Sequence, residues 1–494
     1  MKKVLYKKSL YLFLLPFFFV CHGYIENFGL ITVGDCIALL TSYWIATGIL
    51  YGLFFLFYRN AAKASIAAGL LLSFYFFFGA MHDFLKAHTS ILHRYIIILP
   101  AFFVLFICLI LYLKKSRKDF FKVGFFFNTL LIVYLFIDAG NLIWEITHPG
   151  NNKLSVYGFG KKDMYLPCKD CTSPDIYFLV FDEYSSSVSL SRTFQYNNSE
   201  LDSFFLQHGF HIQSHSFSNY NFTQFSVASI LNMNYINGIN DTANITPDDH
   251  TNSLKLIKNN AVINFLSSRN YDILNYSIFD LAGSPSPVEV SLLPVKTRLI
   301  TAQTLFASAK RDIGLNFNIG WLLSYSVYDN LNNNNKLLAL IKNESTKPSK
   351  NPRFIYGHFE MPHWPFYFDQ NMHPRNEADL LAGNHAGHQK DYTGYIPYTN
   401  DKLKELVNTI QKNTQRSAVI IVMGDHGYRV HVNGFNNDHY FTNLNAIYFP
   451  GQDYHLLKDS VSGVNQFRII FNTLFNQALP LLKDSSVLLN DKIR

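Results

Sequence analysis

The run Asp175-Ile-Tyr-Phe-Leu-Val-Phe-Asp182-Glu183-Tyr184 decides the fold, because a stretch of β-formers and apolar residues ends abruptly in two carboxylates. A run apolar on both faces reads as a buried parallel strand, and open α/β sheets carry their active sites at the carboxyl ends of such strands. Asp182 therefore stands where chemistry is expected. Far downstream the design repeats: Ala418-Val-Ile-Ile-Val-Met423 runs into Gly424-Asp425-His426-Gly427, delivering an acid with an imidazole beside it. Two strand ends offering Asp182, Asp425 and His426 point to one metal site.

Around this frame the 494 residues are 49% apolar and 16% aromatic, enough for more than one domain. The apolar residues are unevenly spread: residues 1–145 read as membrane-like and the remainder as polar. The net charge of +7 comes largely from Lys and Arg bordering the apolar runs. It reads as membrane topology rather than as a nucleic-acid footprint, and no basic patch interleaved with aromatics accompanies it. Of five cysteines, only Cys168 and Cys171 lie in the polar part. A single Cys-x-x-Cys without a second pair favours a local disulfide outside the cytoplasm over a zinc site.

Five apolar runs, 9–22, 35–57, 64–81, 95–113 and 123–143, approach the ~20 residues that a bilayer asks of a helix. The first follows Lys2, Lys3, Lys7 and Lys8 like a signal peptide, but no small-x-small cleavage site follows it, so an uncleaved helix is expected. With the amino terminus inside, the inner segments carry Lys2, Lys3, Lys7, Lys8, Arg59, Lys63, Lys114, Lys115, Arg117, Lys118 and Lys122, while the outer ones carry Lys86 and Arg94. This bias places the polar domain outside the cytoplasm. Glu26, Asp35, His82, Asp83 and Asp138 fall near the outer helix ends, where interfacial solvation is the plain reading and a lipid head-group vestibule the functional one.

Residues 146–174 read as a juxtamembrane linker, 175–480 as the catalytic domain and 481–494 as a tail. From Pro174 onward strand-like and helix-like stretches alternate, which argues an α/β domain with a largely parallel sheet flanked by helices. Strands are expected over 176–182, 210–217, 271–278, 353–359, 418–423 and 444–449. Helices are expected over 199–208, 223–232, 253–267, 298–311, 396–413 and 464–477, and Asn332–Asn335 and Lys347–Asn351 read as loops.

Two further motifs carry chemistry. Thr223 precedes a helical stretch and reads as its N-cap, where free N–H groups and the positive dipole end favour an alkoxide and a bound phosphate or sulfate. Capping alone also explains a Thr at that place. Residues 354–366 put His358, Glu360 and His363 at the end of another strand, suited to holding a substrate anion or protonating a leaving oxygen.

Together these residues resemble the alkaline phosphatase and sulfatase superfamily over 174–478, and the five-span prefix makes the chain similar to its lipoteichoic acid synthase and phosphoethanolamine transferase branch. The resemblance implies that Asp182, Asp425 and His426 bind metal. It also implies that Thr223 is both ligand and nucleophile, and that His363, in Pro-His-Trp-Pro, meets the substrate anion. His358, Glu360 and Glu183 are the remaining candidates for substrate contact, and Glu183 competes with Asp182 for the metal. No Cys-x-Pro-x-Arg motif or its Ser equivalent follows Asp182, so formylglycine sulfatase chemistry is not expected. Asp369-x-x-x-His373 and His439 have the residue types for a second metal, although the pair falls in a turn.

The acid, hydroxyl and imidazole set suits one divalent ion, zinc or manganese. The expected function is transfer of a phospho-head group from a membrane lipid to an envelope glycan or lipid acceptor through a phospho-threonine, with a tethered sulfatase-like or phosphodiesterase hydrolase as the alternative. No nucleic-acid partner is expected.

Overall fold

The computed structural model describes residues 9–147, 154–156, 166–167, 171–288, 297–309, 327–381, 389–414 and 416–491. The chain divides into two compact units, 1–151 with 294–324 and 152–293 with 325–494. Most of the linker expected over 146–174 lies outside the described residues.

The first unit is built on α1 Tyr11–Glu26, α2 Val33–Tyr58, α3 Ala61–His88, α4 Tyr95–Lys115 and α5 Phe121–Thr147. Their ends follow local chemistry. The Thr32 hydroxyl accepts from Asp35 N at 3.1 Å to cap α2, and the Asn60 side chain accepts from Lys63 N at 3.1 Å to cap α3. Four of the helices, α2 to α5, are long and apolar enough to cross a membrane. The first of the five runs expected to span, α1, is shorter: it has 16 residues, about 24 Å at ~1.5 Å per residue, against a hydrocarbon core of ~30 Å. Large apolar side chains such as Ile45, Ile49 and Leu53 stand exposed along α2. Asp138, expected among solvated interfacial residues, is instead buried, and His22 Nδ1 lies 3.0 Å from its Oδ1.

Residues 297–309, expected within the polar domain as one helix over 298–311, form two short helices, Arg298–Thr301 and Leu305–Ala309, that belong to this first unit. Helix α3 departs from helical geometry at Phe77, and the Gly79 N–H nearby donates to Gln303 O at 2.7 Å. A Cβ at Gly79 would meet Gln303 Cα at 2.8 Å, so the approach requires glycine.

The second unit is a six-stranded sheet of β1 Asp175–Phe181, β2 His211–Ile212, β3 Asp272–Tyr276, β4 Arg353–Phe359, β5 Ala418–Gly424 and β6 Asn445–Tyr448, in the spatial order β2-β6-β5-β1-β4-β3. The four strands from β5 to β3 run parallel, while β6 and β2 add antiparallel pairs at one edge. Every residue of β1, β4 and β5 is buried, which is why their sequences lack alternation. The main helices are α6 Thr223–Asn232, α7 Asp329–Ser345, α8 Gln389–Asn413 and α9 Gly463–Phe475.

Helix α7 runs through the asparagine stretch expected to be a loop. Its buried Leu337, Leu338 and Ile341 give it an apolar face that local propensity does not show. The stretch expected as helix 253–267 breaks into Pro247–Lys258 and Ala261–Ser267, because Asn260 caps a new helix by accepting from Ile263 N at 2.9 Å. Beyond residue 481 the chain continues into this unit. Val487 N donates to Asn219 O and Leu489 N to Asn221 Oδ1, both at 2.8 Å, so the last described residues brace the loop leading to Thr223.

Candidate metal and active site

Parallel register brings the two acidic strand ends together. Phe181 of β1 lies opposite Gly424 of β5, so the residues that follow, Asp182 and Asp425, leave the sheet side by side. Gly424 is required there, since a Cβ would sit 2.3 Å from Tyr184 O. Gly427 has the same role on the far side of the Asp-His pair, where a Cβ would fall 2.1 Å from His439 O.

Asp182, Asp425 and His426 are all fully buried and offer two carboxylates and one imidazole within 4.8 Å of one another. His426 Nε2 lies 3.3 Å from Asp425 Oδ2 and 3.8 Å from Asp182 Oδ1. Its Nδ1–H donates to Gly427 O at 2.7 Å, which fixes the tautomer and leaves the Nε2 lone pair open to a cation. Both Asp182 oxygens and Asp425 Oδ2 are buried without a hydrogen-bond partner among the described residues. Buried carboxylate oxygens left this way are costly unless a cation meets them, and hard oxygen plus imidazole is a fitting set for a divalent ion. Burial opposes ionisation of Asp182, but the imidazoles of His363, His358 and His426 outweigh it and hold the carboxyl well below the usual carboxylate range.

Thr223 is the first residue of α6 rather than its N-cap. The cap position belongs to Phe222, whose extended backbone precedes the helix without a side-chain cap bond. Thr223 Oγ1 lies 3.2 Å from His426 Nε2, which places the hydroxyl at the edge of the acidic cluster and near the positive end of a helix whose residues are all buried. The Ser226 hydroxyl, one turn on, donates to Asp425 O at 2.6 Å and ties α6 to the metal-ligand loop.

His363 is 8% exposed, and its Nδ1–H donates to Trp364 O at 2.5 Å, leaving Nε2 for other work. Burial disfavours its imidazolium, yet Asp182 and Glu183 outweigh that and raise its pKa above the usual range, with Arg429 pulling the other way.

The other expected substrate contacts are placed differently. His358 is fully buried with Nδ1 3.0 Å from the Tyr356 hydroxyl and Nε2 3.8 Å from Asp182 Oδ2, so it faces the carboxylate and not solvent. Glu360 is 1% exposed, and its backbone is clasped by Asn334 of α7. Glu183 sits in the left-handed region at φ 64° and acts as a hub: its N–H donates to Asp425 Oδ1 at 3.0 Å, and its Oε1 accepts from Arg429 N at 2.9 Å. The Tyr392 hydroxyl donates to Glu183 O at 2.8 Å. The backbone thus holds Glu183 beside the ligand cluster while Asp182 enters it.

The residues proposed for a second metal are not assembled. Asp369 and His373 form an exposed turn, and both His439 nitrogens lie within hydrogen-bond distance of backbone carbonyls, those of Asn436 and Val430. Among the described residues the metal-competent group is Asp182, Asp425 and His426. Sequence reading missed Arg429, whose guanidinium lies over the Phe222 ring at 4.8 Å. A lone Arg in a turn after Asp425 carries no motif that would have singled it out.

No curated protein matches the chain. Among solved structures, similarity extends to the C-terminal periplasmic domain of EcEptC from Escherichia coli, at 10% identity and TM-score 0.41 over 68% of this chain and 94% of that one. It extends also to the C-terminal periplasmic domain of phosphoethanolamine transferase EptC from Campylobacter jejuni, at 14% identity and TM-score 0.37 over 65% and 95%. A third is the integral membrane lipooligosaccharide phosphoethanolamine transferase A (EptA) from Neisseria meningitidis, at 11% identity and TM-score 0.38 over 94% of each chain. The family model described as Sulfatase matches residues 207–458, just over half of the chain and the stretch that carries Thr223, His363, Asp425 and His426, and the chain belongs to the sulfatase family.

Proposed function

We propose that this protein is a membrane-bound, metal-dependent transferase that moves a phospho-head group, of phosphoethanolamine or phosphoglycerol type, from a membrane lipid to an envelope glycan or lipid acceptor. The observation that carries this reading is the Thr223 hydroxyl, 3.2 Å from His426 Nε2 in a cluster whose buried Asp182 oxygens and Asp425 Oδ2 lack hydrogen-bond partners among the described residues. The one-sided Lys and Arg distribution and the disulfide-bonded state of Cys171 support a catalytic domain outside the cytoplasm.

Asp182, Asp425, His426 and the Thr223 hydroxyl would hold the divalent ion, zinc or manganese, which when bound lowers the hydroxyl pKa and offsets charge on the ester. Thr223 Oγ1, its proton passed to solvent, attacks phosphorus. The bond to the lipid oxygen breaks, and that oxygen takes a proton from His363 Nε2. In the second half the acceptor hydroxyl returns a proton to His363 and attacks the phospho-threonine, the bond from phosphorus to Thr223 Oγ1 breaks, and that oxygen takes a proton back from solvent. The buried first turn of α6 keeps Thr223 oriented between the two halves.

Membership of the sulfatase family also supports a hydrolase, in which water takes the acceptor's place. Incubation of the metal-loaded full chain with vesicles of head-group-labelled phosphatidylethanolamine or phosphatidylglycerol and an envelope glycan separates the two readings. Label on the glycan together with diacylglycerol supports transfer. Free head group alone would establish the hydrolase, and intact lipid in both vesicle types would defeat the transferase.

A further inference from the structure

Arg429 sets its guanidinium over the residue that precedes the proposed nucleophile, and among the described residues no carboxylate pairs with that guanidinium. It is half-buried, and its side chain makes no ion pair among the described residues. Two contacts hold it. Its backbone N–H donates to Glu183 Oε1 at 2.9 Å, fixing the turn after the Asp-His pair, and its guanidinium lies over the ring of Phe222, 4.8 Å from the centroid. Phe222 immediately precedes Thr223, and the Phe222 carbonyl accepts from Phe225 N and Ser226 N in the first turn of α6. The Phe222 ring is itself buried, 5.8 Å from the His250 ring, and stacking on it leaves the guanidinium edge, with its fork of N–H donors, available to a ligand.

Charge balance gives that edge a task. The site gathers three acidic side chains, Asp182, Glu183 and Asp425, all buried. A divalent ion and the His363 imidazolium together offset these three charges, which leaves the charge of an approaching anionic ester itself unmet. A half-buried guanidinium over the residue next to Thr223 suits a tetrahedral oxyanion through paired charge-assisted hydrogen bonds.

We propose that Arg429 binds a non-bridging anionic oxygen of the substrate's phosphate or sulfate, holding the ester against Thr223. The proposal deepens the transferase reading and rests on it for the identity of the ester. It does not rest on it for the anion. Because the contact exists before and during reaction, its loss raises KM more than it lowers kcat.

The test uses the metal-loaded full chain as wild type, Arg429→Gln and Arg429→Lys. Inorganic phosphate and inorganic sulfate are titrated calorimetrically, and head-group release from phosphatidylglycerol vesicles is followed in parallel. Arg429→Gln should keep its metal and its unfolding midpoint but bind phosphate about ten- to a hundredfold more weakly, the factor that ~1.5–3 kcal/mol for a charged hydrogen bond implies. KM for the vesicle donor should rise in step. Arg429→Lys should recover part of both, since it keeps the charge and loses the fork.

Unchanged phosphate affinity in Arg429→Gln overturns the proposal. So does metal loss in Arg429→Gln together with an Arg429→Lys that holds metal and binds phosphate no better, because the side chain would then support the fold and not the anion. Failure of the transferase reading looks different: phosphate binding would still depend on Arg429, but no vesicle lipid would be cleaved. Weaker phosphate binding with an unchanged vesicle KM would restrict the site to free anions and overturn the lipid-ester role.

Discussion

Thr223 Oγ1 lies 3.2 Å from Nε2 of His426, although 203 residues separate them in sequence. The relationship joins a helix start to a strand end, and it makes the Thr hydroxyl a neighbour of the only imidazole in the metal-competent cluster among the described residues.

That cluster should make folding metal-dependent. Both Asp182 oxygens and Asp425 Oδ2 are buried with no donor among the described residues, so an ion that binds the folded chain stabilises it in proportion to the logarithm of its concentration. Zinc or manganese should raise the unfolding midpoint of wild type and leave Asp425→Ala unmoved. Elemental analysis of Asp425→Ala should show most of the metal gone, and full occupancy would relocate the site.

The glycine before the acid gives a separate check on the geometry. A Cβ at Gly424 would meet backbone, Tyr184 O at 2.3 Å, so Gly424→Ala must push β5 or the Tyr184 turn aside and carry Asp425 with it. The expected cost is about 1–3 kcal/mol of stability and a clear loss of metal affinity. Denaturant titration with and without metal measures both, and a fully stable, metal-replete variant would show that the two strand ends are more loosely joined than the register implies.

Much of this was legible in the sequence, and the reason is physical. Strands buried on both faces, such as β1 and β5, must be continuous apolar runs, and the residues that end them stand out as soon as the run is seen. Thr223 and His363 were legible through their neighbours in the chain. Helix α7 was hidden because its asparagines are poor helix formers and its burial is tertiary, supplied through Leu337, Leu338 and Ile341. The placement of Glu183 and the position of Arg429 were hidden for a related reason: a hydrogen bond between residues 246 apart joins them, and no local pattern encodes it.

Far from the site, the opposite end of β1 offers a stability test that should spare the chemistry. Asp175 is fully buried, and its carboxylate accepts from Arg353 N at 2.9 Å, Nε at 3.0 Å and Nη2 at 2.6 Å. Asp175→Ala strands the buried guanidinium and should cost about 3–5 kcal/mol. Because Asp175 begins the strand that Asp182 follows, metal binding below the new midpoint should persist. A loss under about 1 kcal/mol would show that Glu344, which Arg353 also reaches at 3.3 Å, suffices as its partner.

His363 should impose a pH dependence of defined sign. Its folded pKa is raised, on balance, because Asp182 and Glu183 outweigh burial. The stability it contributes is therefore fully present below the ordinary His value of ~6.5 and lost as pH rises through the higher folded value. Metal-free wild type should lose stability as pH climbs from the ordinary imidazole range into the alkaline range, and His363→Gln should flatten that slope. In the metal-loaded enzyme His363→Gln should keep its metal and lose turnover. Metal loss would instead make His363 a ligand and revive a second metal.

The strongest test falls on Thr223 because position and chemistry can be separated there. As the first helical residue and not the cap, Thr223 gives up no capping bond in Thr223→Ala, and alanine is the better helix former, so the change should cost well under about 1 kcal/mol. The fold should survive with metal held more weakly by the remaining three ligands, and turnover should still fail at saturating metal, since no other hydroxyl is placed against His426 Nε2 among the described residues. Thr223→Ser keeps the oxygen and should keep part of the activity. Ser226 and Ser218 are the nearest rivals in sequence, but their hydroxyls are committed to Asp425 O and Tyr220 O. With vesicle donor and no acceptor, peptide mass analysis of wild type should find one phospho-head-group adduct on Thr223, absent from Thr223→Ala. An adduct on Ser226 would move the nucleophile one turn along α6, and an active Thr223→Ala would leave metal and His363 to direct water onto the ester without any covalent stage.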